Sequence, residues 1–170
     1  MTTATTTIID ASTPAPAATS NNIGWFVGAG GSVEVRSAYK EIIAPVGAGL
    51  LAYGGFTWEG DSVLNTGLLA YGGWTTGNGA QLGSDLVVYK DGDVDLGGGV
   101  GAFGQYHDVW GESLPAATLA GGELVGYMRF GGDVVTVIVQ PYARLGAFSA
   151  GKDGGLATAY GLRLTAAFGN

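Results

Sequence analysis

Charged residues at alternating positions are the strongest candidates for a functional cluster in this sequence. All four arginines lie in segments that alternate polar with apolar residues, and each falls on the polar side of its segment. Four acids lie in such segments too, whereas most others lie in glycine-rich turns. Opposite charges that share one face can form an ion-pair network or line a charged passage. The arginines are Arg36, Arg129, Arg144 and Arg163, and the four acids are Glu34, Asp85, Asp95 and Glu123.

His107 is the only histidine, so a histidine-based metal site would need carboxylates as its other ligands. Asp108 is its neighbour, and Glu112 and Ser113 follow, so the residue types of a serine–histidine–acid hydrolase are present. Their spacing matches no hydrolase pattern. We therefore expect His107 to be a loop residue in a polar rim, and we predict no catalytic residue, no metal ligand and no enzymatic activity.

Two further classes of ligand are disfavoured. The segment 99–104 satisfies the G-x-G-x-x-G pattern of nucleotide-binding loops. However, it lies inside a predicted strand with no helix after it, so no helix N-terminus is available to hold a phosphate. Seven basic residues against fourteen acidic ones, with a net charge of −7, argue against a nucleic-acid surface. The sequence therefore predicts neither a cofactor nor a nucleic-acid partner.

Short glycine- and aspartate-containing turns divide the chain from residue 23 onward into about eight predicted strands. No apolar run approaches the ~18 to 20 residues of a membrane-spanning helix. The predicted strands are instead about 10 to 16 residues long, well beyond the usual ~5 to 6, as expected of strands that cross a bilayer at a tilt. They lie near 23–36, 46–58, 62–76, 80–90, 93–107, 116–130, 133–149 and 155–169.

The predicted strands have one apolar and one polar face. In the seventh, every odd position from Val135 to Ala147 is apolar, whereas the even positions include Gln140, Tyr142 and Arg144. All three lysines fall in loops or at strand ends, and charged residues make up only 12% of the chain. Such a polar face is too small and too sparsely charged for a water-facing wall, but it suits the crowded lumen of a barrel. The pattern therefore favours a barrel whose apolar face contacts lipid.

Aromatic residues on the apolar face are predicted to fall at the two ends of the strands. Four lie toward one end and two toward the other, as in the aromatic belts at membrane–water interfaces. The tight turns share the first end, and the wider gaps at 37–45 and 107–116 lie at the second. The six predicted interface residues are Trp25, Trp58, Trp74, Tyr106, Phe130 and Phe168.

The last strand carries a family resemblance. Its segment Ala159–Phe168 reads AYGLRLTAAF, with a glycine followed by alternating bulky apolar residues and a near-terminal phenylalanine. This resembles the C-terminal strand of bacterial outer-membrane β-barrels, although here the chain continues for two residues beyond Phe168. The whole of 23–170 is similar in size and rhythm to the small eight-stranded OmpA/OmpX-like proteins. The resemblance implies an outer-membrane location and an antiparallel up-and-down transmembrane β-barrel.

Residues 1–22 differ from the rest in being rich in Thr, Ala, Ser and Pro. With one charge and no periodicity they are predicted to be a disordered tail, followed by a barrel domain at 23–170. They contain no Lys or Arg and no apolar run longer than two residues, so no export signal is expected there.

The favoured function is that of a non-enzymatic membrane anchor, structural protein or surface-interaction protein. Lipid, or detergent, would be its main partner, the loops 37–45 and 107–116 would make any external contacts, and the barrel would be a monomer. Two alternatives stay open, a small passive pore and a soluble or virion-associated barrel. The predicted polar network of the lumen comprises Glu34, Arg36, Asp85, Glu123, Arg129, Gln140, Arg144 and Arg163.

Overall fold

Eight antiparallel strands form a closed up-and-down barrel, in agreement with the predicted architecture. The computed structural model describes residues 22–38, 46–60, 62–76, 79–107, 116–132 and 134–169, and no helix among them is long and apolar enough to cross a membrane. The predicted disordered tail, apart from residue 22, lies outside the described residues, as do most of the two predicted loops. The strands are β1 (Asn22–Ala38), β2 (Val46–Glu59), β3 (Asn65–Thr75), β4 (Gly79–Lys90), β5 (Asp95–His107), β6 (Ala117–Gly131), β7 (Thr136–Ala150) and β8 (Asp153–Gly169).

The two ends of the barrel differ. The end that holds the start of β1 and the end of β8 also holds the connections 60–64, 91–94 and 132–135, and we call it the turn end. The other, which we call the loop end, holds the turn at 151–152 and the ends of the segments 39–45 and 108–115. Gly151 in the 151–152 turn has a φ of 64°, in the left-handed region that favours glycine.

The register fixes the dimensions of the barrel. A path of directly opposed residues that leaves β1 at Phe26 returns to β1 at Arg36, so the shear is ten residues. Eight strands with this shear tilt by about 41° and place the backbone about 8 Å from the axis. An interior of this width is filled by side chains. The path runs through Gly55, Leu69, Asp85, Gly101, Glu123, Arg144 and Ala159.

Side chains alternate strictly between the interior and the outer surface. Val33 and Val35 on β1 are each more than half exposed, whereas Glu34 and Arg36 between and beside them are buried. In β7 the polar positions Gln140, Tyr142 and Arg144 are likewise buried, as the alternation of that segment predicts. The apolar face of the strands is therefore the outside of the barrel, and the charged face is the inside.

The outer surface carries an apolar band between two groups of aromatic residues. Among the described residues thirty large hydrophobic side chains are exposed. On β4 the outward positions from Ala80 to Val88 are apolar except for Ser84, and Lys90 follows them; these nine residues at a tilt of ~41° cover about 20 Å. Trp74 and Tyr106 both lie opposite Ala80 and mark the loop-end edge of the band. Trp25, Trp58, Phe130 and Phe168, all more than 40% exposed, lie at the turn-end edge.

Candidate functional site in the barrel interior

Three arginines and three acids meet in the middle of the barrel. Arg144 on β7 is the hub: its Nε lies 2.8 Å from Glu123 Oε2 on β6, and its Nη1 lies 2.9 Å from Glu34 Oε2 on β1. Arg36 extends the network toward the loop end, because its Nε donates to Glu34 Oε1 at 2.5 Å and its Nη2 to Thr75 Oγ1 at 2.8 Å. Each of these side chains points into the barrel because it occupies an inward-facing position of its strand.

Arg163 on β8 continues the network toward the turn end. Its Nη1 and Nη2 atoms each lie 3.1 Å from a carboxylate oxygen, on Asp85 and Glu123 respectively. Gln140 Nε2 donates to the same Asp85 oxygen at 3.3 Å. The six charged side chains are at most 7% exposed and carry three positive and three negative charges, so the network is neutral overall.

Tyrosines supply further contacts of this network, as does Gln105, whose Nε2 donates to Glu34 Oε1 at 2.9 Å, and the sequence interpretation assigned none of them to it. Tyr71 donates to Glu123 at 2.6 Å and accepts from Arg144 Nη2 at 2.7 Å, while Tyr142 donates to Glu34 at 3.0 Å. The Arg163 guanidinium carbon also lies 4.1 Å from the Tyr71 ring centroid. The sequence does indicate an inward position for tyrosines, because the alternation of the strands places Tyr53, Tyr71, Tyr89 and Tyr127 on the inward face.

Arg129 lies apart from the central network. It is near the turn end of β6, where its Nε is 2.5 Å from Asp95 Oδ2 and its Nη2 is 3.5 Å from Glu59 Oε1. Its side chain is 23% exposed, whereas that of Arg163 is 1% exposed. Of the eight residues predicted to line the lumen, seven are therefore brought together and Arg129 belongs to a separate cluster at the mouth.

Apolar side chains pack against the network toward both ends of the barrel. Phe26, Leu69, Val87 and Ile138 pack below it toward the turn end. A second cluster, including Phe103, Leu119 and Phe148, packs toward the loop end. Toward the loop end the network continues beside the second cluster, through buried contacts of Arg36 with Thr75 and of Glu34 with Gln105.

Inward glycines make room for the large side chains rather than leaving a passage. A Cβ added at Gly101 would collide with the Asp85 carboxylate, one at Gly161 with the Tyr142 ring, and one at Gly83 with the Tyr71 hydroxyl. The small residues of the wall are thus paired with the bulky members of the network.

The prediction of a loop position for His107 is wrong. His107 is the last residue of β5 and is 0% exposed, because the inward alternation of Phe103 and Gln105 continues to it. The other residues considered with it, Asp108, Glu112 and Ser113, lie outside the described residues. Within the described part of the chain, no group of three or more His, Asp or Glu side chains could hold a metal ion.

The interior can balance charge and fix the eight strands in register. No protein-family model matches this sequence, and a search of curated proteins finds no significant match. The fold and the enclosed ion-pair network are therefore the basis of any functional assignment.

Proposed function

We propose that this protein is an integral membrane β-barrel of the bacterial outer-membrane type, similar to the small OmpA/OmpX-like barrels. It would act as an anchor, structural element or surface-interaction protein, without enzymatic activity. The observation that carries the proposal is the inverted distribution of polarity, with charges enclosed in the barrel and large apolar side chains over its outer surface. A soluble barrel requires the opposite distribution.

The dimensions of the outer surface support the same proposal. The apolar band on β4 is about 20 Å tall, close to the ~25 Å typical of transmembrane barrels, and aromatic residues flank it at both edges. Closure also leaves no strand edge, so every strand has partners on both sides, as a hydrocarbon environment demands. The loops at 37–45 and 107–116 are the proposed sites of external contact, at the end opposite the tight turns.

The filled interior favours an anchor over a passive pore. Ion pairs and apolar side chains occupy the barrel at successive heights, and an eight-stranded barrel has little room besides. We propose no enzymatic role, since His107, the only histidine, is fully buried.

A pair of arginine substitutions on β8 tests whether the outer surface contacts hydrocarbon. Leu164 and Leu156 share the outward face and are 53% and 64% exposed, but Leu164 lies near the middle of the band and Leu156 near the loop end. Leu164→Arg should cost about 2–4 kcal/mol in folding into phosphatidylcholine vesicles, and Leu156→Arg about 0–1 kcal/mol. Urea titration of tryptophan fluorescence measures both.

The soluble alternative makes the opposite forecast. In a water-soluble or virion-associated barrel both arginines would be solvated and neither would reduce the free energy of unfolding. The wild-type protein would also remain monomeric without detergent and would migrate identically on gels before and after boiling. Those results together would rule out the membrane proposal.

A further inference from the structure

The turn-end mouth of the barrel contains a cavity of about 740 Å³ that the central network does not use. Its lining comes from β1, β2, β5, β6, β7 and β8 and from two of the tight turns. Phe26 and Ile138 lie in the lining and belong to the apolar layer that closes the interior. The cavity is therefore a blind cup with an apolar floor, and its volume is typical of small-ligand sites.

The wall of the cup contains a fixed ion pair. Arg129 Nε donates to Asp95 Oδ2 at 2.5 Å, and the other Asp95 oxygen accepts from the Gly92 amide at 3.2 Å. The Arg129 guanidinium carbon also lies 5.2 Å from the centroid of the Tyr89 ring. Arg129 is thus held and neutralised by Asp95, so it is poorly available to attract an anion.

Two further carboxylates line the cup, and the one cation in that lining, Arg129, is already paired with Asp95. Glu59 Oε1 is 3.5 Å from Arg129 Nη2, a long contact, and the Glu59 side chain is 38% exposed. Asp93 also lines the cup and is exposed. A carboxylate accepts several hydrogen bonds, so both acids keep acceptor capacity toward the cup. With three carboxylates and one guanidinium, the lining carries a net charge of −2.

We propose that the cup binds a small organic cation with an apolar body. The ammonium or guanidinium group would contact Glu59 and Asp93 near the mouth, and the apolar body would pack on Phe26 and Ile138. A free amine and the basic side chain of a peptide present this same chemistry. Because the floor is closed, the cup binds its ligand and does not pass it through the barrel.

Calorimetric titration of the folded protein in detergent tests the charge selectivity. Phenethylammonium should bind about tenfold more tightly than neutral 2-phenylethanol, and phenylacetate should bind most weakly. Raising the salt concentration should reduce the difference, because the carboxylates are partly exposed. An N-acetylated, C-amidated Phe-Lys dipeptide tests the peptide source against the free amine. Equal affinity for phenethylammonium and 2-phenylethanol, or no binding by millimolar concentrations, would overturn the proposal.

Matched variants locate the site. Glu59→Gln should weaken phenethylammonium binding about fivefold to tenfold, whereas Asp153→Asn, an exposed acid at the loop end, should leave it unchanged. Gly132→Leu should obstruct the cup, while Gly104→Leu on the outer face of β5 should not; an added Cβ meets nothing within 4 Å at either position. Unchanged binding in both cup variants would refute the location.

Far-ultraviolet circular dichroism with cooperative thermal unfolding verifies that each variant is folded before titration, whichever environment the barrel occupies. Binding is measured on the folded barrel in detergent, so it can fail while the vesicle experiments on β8 succeed. Binding can likewise succeed while the vesicle experiments fail, so the two proposals are tested separately.

Discussion

Arg163 shows how a cation can be held in the interior of this barrel. It is 1% exposed, contacts Asp85 and Glu123, and lies over the rings of Tyr71 and Tyr142. Removing one partner of a buried pair leaves the other charge uncompensated, which costs more than the pair itself contributes. We therefore expect substitution of one partner of a buried ion pair to destabilise the barrel more than replacement of both partners together.

Arg163→Met should reduce the free energy of unfolding by about 3–5 kcal/mol, because the buried Asp85 carboxylate would lose its ion pair with Arg163. The double variant Arg163→Met with Asp85→Leu should recover much of this loss, since no unpaired charge remains at that position. Urea unfolding in lipid vesicles measures each value. Arg129→Met is the control, with a smaller expected loss because Arg129 is partly exposed. Equal losses for the two single variants would contradict this account.

The inward position of each central charge could be predicted from parity alone, but its partners could not. Glu123 and Arg144 are directly opposed on β6 and β7, and only the register of that pair of strands makes this known. The contact from Arg144 to Glu34 crosses the lumen between β7 and β1, so it depends on the shear of the closed barrel. Neither register nor shear is visible in a single sequence.

At the level of elements, the β6–β7 ladder is interrupted near the middle of the apolar band. The register passes from Val125↔Tyr142 directly to Met128↔Val139, whereas the other ladders run without a gap. Pro141 lies at the gap opposite Gly126 and has no N–H to donate. The glycine is also required there, because an added Cβ would lie 2.8 Å from the Pro141 ring.

Pro141→Val should restore a donor to this ladder and protect the new amide at position 141 from hydrogen exchange. The amide of Val139 in the continuous part of the ladder serves as the reference. Exchange at position 141 much faster than at Val139 would show that the gap has another cause. NMR-detected exchange in micelles distinguishes the two results.

The predicted strands agree with the observed ones to within about three residues, since long alternating segments separated by turns are a strong local signal. His107 is the shared boundary of the predicted strand 93–107 and the predicted loop 107–116, and only the inward alternation that continues past Gln105 assigns it to the strand. The interruption at Pro141 was not anticipated, since proline on an apolar face continues the alternation without disturbing it. The local pattern of the sequence thus predicts where strands lie and which way their side chains point. Whether the hydrogen bonds between two strands are continuous depends also on the residues of the neighbouring strand.

At the scale of the whole molecule, the filled interior favours a barrel that serves as an anchor over one that conducts ions. The charged network and two apolar clusters fill the interior, and the inward glycines are matched by large neighbours. Ions would have to displace paired charges and apolar side chains together.

Planar-bilayer recordings of the wild-type protein should therefore show no conductance above background. An open porin inserted into the same membranes provides the positive control, and detection of the protein in the bilayer by antibody confirms insertion. Reproducible single-channel steps from the inserted protein would favour the passive-pore alternative instead.

The seam between β1 and β8 joins residues 26–38 to residues 157–169, the first and last segments of the barrel. A nascent chain that has not yet released β8 from the ribosome would present two unpaired edges, on β1 and β7, beside a wall of uncovered hydrophobic side chains. Such an intermediate is prone to aggregate. Pairing of β8 with both of its neighbours removes the two edges in a single step, so closure of the barrel is the event that ends this exposure.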